Sequence, residues 1–260
     1  MKIGIVGFGF VGKAVYNSLK GDVQPLIVDP AHTNESIENM NAWKPDAVFI
    51  CVPTPAMPGG EVDGSIVRSV LDELDPGILK IVKSTITPQW LEGYEHVVFN
   101  PEFLTQRTAN HDYLYPDFLI FGADDKQDAR NAFTIIKNHS DVEIPVALHL
   151  TDIRSACMVK YTLNCHYAAK VIFMNEIHEL HKTIGCGTTW QQFKEMLASD
   201  SRLGPSHLDV PGPDGFYGYG GACFPKDTNA LKAYANAYNV NLTVLATAMN
   251  KNELIRDETE

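Results

Sequence analysis

The 260-residue sequence contains no apolar run approaching the ~20 residues a helix needs to span a bilayer. Its first ten residues, MKIGIVGFGF, enter a strand pattern at once, without the layout of a secretory leader. A cytoplasmic location and no membrane partner are expected. Basic residues are scarce, with 21 Lys and Arg against 32 Asp and Glu and a net charge of −11. A surface that negative repels nucleic acid at long range, so no nucleic-acid partner is expected. It still permits one small anionic ligand where a few cations gather. The five cysteines (Cys51, Cys157, Cys165, Cys186, Cys223) are odd in number and show no CxxC spacing. That argues against a disulfide framework and for reduced thiols. There is no internal repeat, low-complexity tract or long charge block. Hydrophobic residues make up 45%, enough for a core, so wholesale disorder is excluded.

The first part of the chain alternates short apolar runs with polar or helical stretches. Lys2–Gly7, Pro25–Asp29, Ala47–Val52, Ile78–Lys83, Val97–Phe99 and Phe118–Phe121 read as buried strands. Helical patterns such as Val11–Leu19 and Ser65–Leu74 lie between them. This alternation predicts an α/β fold, a Rossmann-like, doubly wound and mostly parallel sheet. From Asp152 to Ile184 there is no proline or glycine, and apolar residues recur at helical spacing. A helix of that length is ~45–50 Å long, too long for one small domain to cover. Shorter helices follow at Thr189–Ala198, Asp227–Asn239 and Leu242–Ile255, interrupted by a Gly/Pro-rich loop at Gly204–Gly221. The expected division is a dinucleotide-binding domain over residues 1–150 and an all-α domain built on the long helix over 151–260.

Gly7-Phe8-Gly9-Phe10-Val11-Gly12 follows a strand and opens a helix. The first glycine permits the tight turn, the second lets a pyrophosphate approach the backbone, and the third allows close strand–helix packing. The helix N-terminus then offers N–H groups to the phosphates. Asp29 ends the next strand, where a carboxylate accepts hydrogen bonds from ribose hydroxyls and repels a 2′-phosphate. The pattern therefore predicts NAD as cofactor. Val52-Pro53-Thr54-Pro55 and Ser84-Thr85 end two further strands and should face the same crevice, although either hydroxyl could simply cap a turn.

In the second part, Lys160 and Asn164 are four apart and share one helix face. They are either a solvated face or an ammonium and an amide aimed at one developing oxyanion. Cys223 lies in Gly220-Gly221-Ala222-Cys223-Phe224-Pro225-Lys226-Asp227. A helix start and a nearby cation both favour a thiolate there; the alternative is an inert buried filler. Asp227 is a helix-cap candidate, and could also hold a water or a lysine. Glu102, just past the strand Val97–Phe99, is a general-base candidate or a surface-turn residue. His178 and His181 flank Glu179 at i, i+3, but no third ligand is evident, so no metal is expected.

Taken together, GFGFVG, VPTP at 52–55, KSTI at 83–86, NPEFL at 100–104, K-x-x-x-N at 160–164, MNE at 174–176, DSRLG at 200–204 and GGACFPKD at 220–227 resemble the UDP-glucose/GDP-mannose dehydrogenase family, in family order and over nearly the whole chain. The resemblance implies that Cys223 is the catalytic nucleophile and that Lys160 and Asn164 stabilise the oxyanion. Glu102 matches the carboxylate that acts as base or activates water. Asp227 matches the water-positioning aspartate and Thr85 a residue that helps hold that water. Gly7, Gly9, Phe10, Val11, Gly12, Asp29, Val52, Pro53, Thr54, Ser84, Thr85 and Lys226 are then the expected cofactor contacts. Glu102, Phe103, Leu104, Lys160, Asn164, Tyr219, Gly220, Gly221 and Cys223 are the expected substrate contacts. Arg202 looks like the arginine that reaches the substrate of a neighbouring subunit, which implies a homodimer through the long helix. The RLG context favours UDP-glucose over GDP-mannose as the sugar nucleotide.

Three departures stand out. Where relatives often carry a second glutamate four residues after the first, this chain has Gln106. The segment Pro211–Tyr219 is longer and richer in proline and glycine than usual. The sequence ends at Glu260, where the family's nucleotide-binding third domain is expected to begin, so a short form is expected. The implied reaction takes an alcohol to a carboxylate with two NAD. Other nucleotide sugars (UDP-N-acetyl sugars or GDP-mannose), a one-step hydroxyacid dehydrogenase and an inactive NAD-binding module remain as alternatives.

Overall fold

After Lys2, strand β1 (Lys2–Val6) is an unbroken apolar run because it is buried on both faces, as parallel strands between helices are. After it come α1 (Phe10–Ser18), β2 (Gln24–Val28), α2 (Ile37–Trp43), β3 (Ala47–Ile50), α3 (Ser65–Glu73) and β4 (Leu79–Val82). Then follow β5 (Val97–Phe99), α4 (Ala109–Leu114), β6 (Phe118–Ala123), α5 (Lys126–His139) and β7 (Ala147–Thr151). This is a computed structural model; it describes residues 1–257, apart from the side chains of Gln106 and Asp257.

The seven strands form one sheet in the order β2-β1-β3-β4-β5-β6-β7. All neighbours are parallel except β5 and β6. The register aligns Ile5 with Phe49, Phe49 with Ile81 and Ile81 with Val98. These four belong to one buried cluster with Phe121 and Ile136. Each such side chain contributes about 1.5–3 kcal/mol of apolar burial. Parallel pairing also carries the C-terminal ends of β1 to β5 to one edge, and the segments expected to form the site leave the sheet there.

The helices α6 (Ile153–Thr183), α7 (Trp190–Ala198), α8 (Phe224–Ala237) and α9 (Thr243–Asp257) complete the chain. At 31 residues, α6 is about 46 Å long. Chain contacts divide the molecule into one unit of Met1–Pro55 and Val62–Lys160 and another of Ala56–Glu61 and Tyr161–Glu260. In the second unit, Ala168 and Ile172 of α6 bury against Tyr219 and Ala248. Met174, Leu208 and Val210 form a smaller cluster covered by Trp190 and Leu197. Thr189 and Gln192 close a reciprocal capping box at the start of α7. No described helix is long and apolar enough to cross a membrane.

The α/β sheet followed by helices forms as the sequence predicts. Two details differ. Strand β7 was not expected: it is an edge strand, with His149 and Leu150 exposed, so its apolar signal is weak. Helix α8 starts three residues before the predicted Asp227, because Pro225 sits in its first turn, where a missing N–H costs nothing. Cys223 is therefore the N-cap, and Asp227 lies inside the helix.

Candidate active site

At the end of β1, Gly7 adopts φ +89°, and a Cβ there would lie 2.6 Å from the Cys51 carbonyl oxygen. A Cβ on Gly12 would lie 2.1 Å from the Gly7 oxygen, so the turn and α1 close only with glycine at both positions. Nothing stands within 4 Å of a Cβ built on Gly9. Phe10 is exposed at the first position of α1, and Val11 is half-buried beside it. Asp29, past the end of β2, accepts from Phe8 N–H (2.6 Å) and Ala31 N–H (2.8 Å) and pairs with His32 Nδ1 (3.0 Å). Burial works to raise its pKa, but the hydrogen bonds from His32, Phe8 and Ala31 outweigh that and hold the carboxyl below its ordinary value. An ionised carboxylate with lone pairs to spare, beside a turn closed by glycines, fits the ribose and pyrophosphate of NAD.

The hydroxyls at the next strand ends serve the backbone. Ser84 donates to the Val52 carbonyl (2.7 Å) and Thr54 to that of Thr85 (2.8 Å), tying the end of β3 to the end of β4. Val52 is buried, Pro53 exposed and Thr85 half-buried.

Past β5, Glu102 is only 7% exposed. Its Oε2 accepts the Leu104 N–H (2.7 Å), which curls the NPEFL segment back on itself. From the first turns of α6, Lys160 donates to the Glu102 carbonyl (2.7 Å) and to its Oε1 (3.2 Å). The Lys160 ammonium also stands 5.2 Å from the Phe103 ring centroid. A buried ion pair is costly unless its remaining groups are satisfied. Here the carboxylate has two donors and the ammonium two acceptors, leaving one N–H for a ligand oxygen.

In the second unit, Asn164 donates through Nδ2 to Asp227 Oδ2 (2.5 Å), and Lys226 Nζ pairs with Asp227 Oδ1 (2.7 Å). Asp227 is 1% exposed. Its N–H donates to the Cys223 carbonyl (2.8 Å), placing the carboxylate one helical turn after the cysteine. Cys223 itself is exposed at the N-terminus of a 14-residue helix, where the dipole favours a thiolate. Cys165 is buried and Cys51 half-buried, and desolvation pushes both thiols up to about 12. Cys157 is also buried and raised.

The turn before Cys223 is held by residues to which sequence reasoning assigned no role. Asn175 Oδ1 accepts the Gly218 N–H (3.1 Å), and Asn252 Oδ1 accepts that of Tyr219 (2.7 Å). Arg256 pairs with Asp214 (2.8 Å). Only Asn175 had a sequence signal, as the middle of MNE. Tyr219 is buried, its ring packed on Phe224, while Gly220 and Gly221 lead on to the cysteine. Arg202 lies on the surface, bonded to Asp200 (2.6 and 3.0 Å). His178 and His181 pack in an aromatic cluster with Trp190. Among the described residues, no group of three or more side chains suited to a metal gathers. The side chain of Gln106 lies outside the described residues.

Residues 30–139 match the NAD binding domain of the UDP-glucose/GDP-mannose dehydrogenase family, and residues 154–254 match its central domain. A UDP-glucose 6-dehydrogenase of Rickettsia typhi is 31% identical over 223 residues, which is 80% of this chain and 49% of that protein. A GDP-mannose 6-dehydrogenase of Pseudomonas aeruginosa is 29% identical over 231 residues, 80% of this chain and 50% of that one. The solved UDP-glucose dehydrogenase of Pyrobaculum islandicum superposes with a TM-score of 0.79 at 25% identity, covering 97% of this chain and 68% of that one. The chain thus spans about half the length of the curated relatives it matches. With both domains matched and the fold shared, this chain belongs to the UDP-glucose/GDP-mannose dehydrogenase family and carries its NAD-binding domain.

Proposed function

We propose that the protein is an NAD-dependent nucleotide-sugar 6-dehydrogenase that oxidises the C6 alcohol of UDP-glucose to the carboxylate in two steps. The supporting observation is the setting of Cys223: an exposed thiol at a helix N-terminus, one turn from a buried Asp227 that is held by Asn164. A one-step alcohol oxidation has no use for such a thiol. NAD, when bound at the Gly7–Gly12 turn and Asp29, accepts the hydride of each oxidation.

In the first step, Glu102 takes the hydroxyl proton, directly or through a water, with Lys160 as the other candidate base. In the second, the Cys223 thiolate adds to the aldehyde carbon. The tetrahedral thiohemiacetal expels hydride and becomes a thioester. Lys160 and the second N–H of Asn164 stabilise the alkoxide; one such donor is worth about 3–4 kcal/mol. Water oriented by Asp227 and Glu102, with Thr85 beside it, then hydrolyses the thioester and frees the thiol. Phe103, Leu104, Tyr219, Gly220 and Gly221 line the substrate through backbone groups and apolar contact.

The protein acts as a homodimer in the cytoplasm. Phe173, Leu180 and Ile184 are exposed at helical spacing along α6 and its end, an apolar stripe suited to a second copy. That copy would receive Arg202. Incubation with NAD and a panel of UDP- and GDP-sugars tests the reading by NADH absorbance. UDP-glucose is expected to give the highest rate, and mass spectrometry after acid quench to find the sugar on Cys223. A protein that binds NAD but turns over no nucleotide sugar contradicts it.

A further inference from the structure

The lysine that opens the KSTI segment has no part in the scheme above. Lys83, just past β4, is 3% exposed, and its ammonium donates to Asn100 Oδ1 at 2.8 Å. Asn100 opens the NPEFL segment, is 1% exposed, and donates through Nδ2 to the Ile120 carbonyl at 2.8 Å. One side-chain relay therefore joins the ends of β4 and β5 to β6, two residues before Glu102. Lys83 Nζ also stands 5.1 Å from the Tyr113 ring centroid. Its hydrogen-bond partner is a neutral amide, whereas the nearby carboxylate is bonded to Lys160. Two buried ammoniums thus share one carboxylate. An uncompensated buried charge is expensive, and Asn100 alone could have been satisfied by a neutral donor. The excess charge calls for a function.

We propose that Lys83 is a positioning residue for the oxidation: through Asn100 it sets where the NPEFL segment and Glu102 begin, and its surplus positive charge acts with Lys160 on the negative charge that develops on the substrate. This rests on the reading under Proposed function. The titratable groups around Lys83 are Cys51 after β3, Tyr113 of α4, Glu102 after β5 and Lys160 of α6. A cavity of about 390 Å³ beside it adds His111, Asp112 and Asp117. Burial pushes the Lys83 ammonium down to about 8, against the pull of Cys51 and Glu102 and with the help of Lys160. The charge is therefore present below pH 8 and lost as pH rises through it.

The test compares the wild type with Lys83→Arg, which keeps a charge that does not titrate, and Lys83→Met, which removes it. NADH formation from UDP-glucose and NAD is followed from pH 6 to 10. The wild-type rate is expected to fall through about pH 8. The arginine variant should lack that fall, and the methionine variant should be about tenfold or more slower below it. KM for NAD should stay within about twofold. An arginine variant with the wild-type fall, or a methionine variant as fast as wild type, overturns the proposal.

Melting temperatures supply a readout independent of turnover. Lys83 titrates near 8 when folded and near 10.5 when unfolded, so the unfolded chain binds more protons between those values. The wild type should gain stability relative to Lys83→Met across that range; a constant gap overturns the proposal. No NADH from the wild type with any nucleotide sugar would instead overturn the oxidation reading, and the positioning role with it.

Discussion

Two glycine-rich turns lead into helices in this protein, and each is secured differently. The turn at Gly7–Gly12 is closed by backbone contact: Gly12 has no room for a Cβ against the Gly7 oxygen. The turn at Gly218–Cys223 is held from outside by the side chains of Asn175 and Asn252, which accept backbone N–H groups from 43 and 33 residues away. Each turn has an acidic residue nearby that hydrogen bonds hold ionised against burial, Asp29 by His32 and the Phe8 and Ala31 N–H groups, and Asp214 by Arg256 and the N–H groups of Phe216 and of Asp214 itself. A phosphate-binding turn needs only the right backbone path. On the proposed reading Cys223 is a nucleophile, which must sit to within a fraction of an ångström, and the buried amides of Asn175 and Asn252 would hold the turn before it. The first turn should therefore break sterically and the second by loss of a single hydrogen bond.

The largest expected effect falls on the second turn. Cys223→Ser should lower turnover of UDP-glucose by more than about a thousandfold while leaving NAD affinity within about twofold. Rapid-quench kinetics with NAD titrated by fluorescence would show both. Gly12→Ala should do the reverse. It forces a Cβ against the Gly7 oxygen, destabilises the first unit by about 1–3 kcal/mol and weakens NAD by more than about tenfold, as denaturant melts and the same titration would record.

How much of this was readable follows from the distances along the chain. The glycine spacing, the strand before it and Asp29 are all local, so the sequence alone predicts the first turn. Lys160 and Asn164 are one helical turn apart and so could be paired by spacing. Their partners could not: Glu102 lies 58 residues from Lys160, and Asp227 lies 63 from Asn164. Asn252 reads as an ordinary polar position in a helix, and Lys83 as an ordinary strand end. Nothing local marks Asn252 as buried, and although Lys83 closes a run that reads as a buried strand, nothing local pairs it with Asn100, 17 residues on. The same holds for β7, whose exposed half hides its strand pattern.

Asn252→Ala gives a smaller effect than the two substitutions above and sharpens the contrast further. It strands the Tyr219 N–H and should cost about 1–3 kcal/mol. Turnover should fall more than NAD affinity, in a paired kinetic and calorimetric measurement. The smallest effect is on acid stability. Asp29 and Asp214 both titrate below their ordinary values when folded. Their contribution is complete above the unfolded pKa near 3.8 and is lost as pH falls through the lower folded values. Asp29→Asn and Asp214→Asn should each flatten the decline of melting temperature below about pH 4, the first together with weaker NAD binding and the second without it.

The most direct test counts hydrides. With limiting UDP-glucose, excess NAD and the wild-type protein, the reaction is run to completion and NADH is read by absorbance. Oxidation through a thioester on Cys223 requires two NADH for every UDP-glucose consumed. One NADH per sugar, with the aldehyde left as product, would contradict the account.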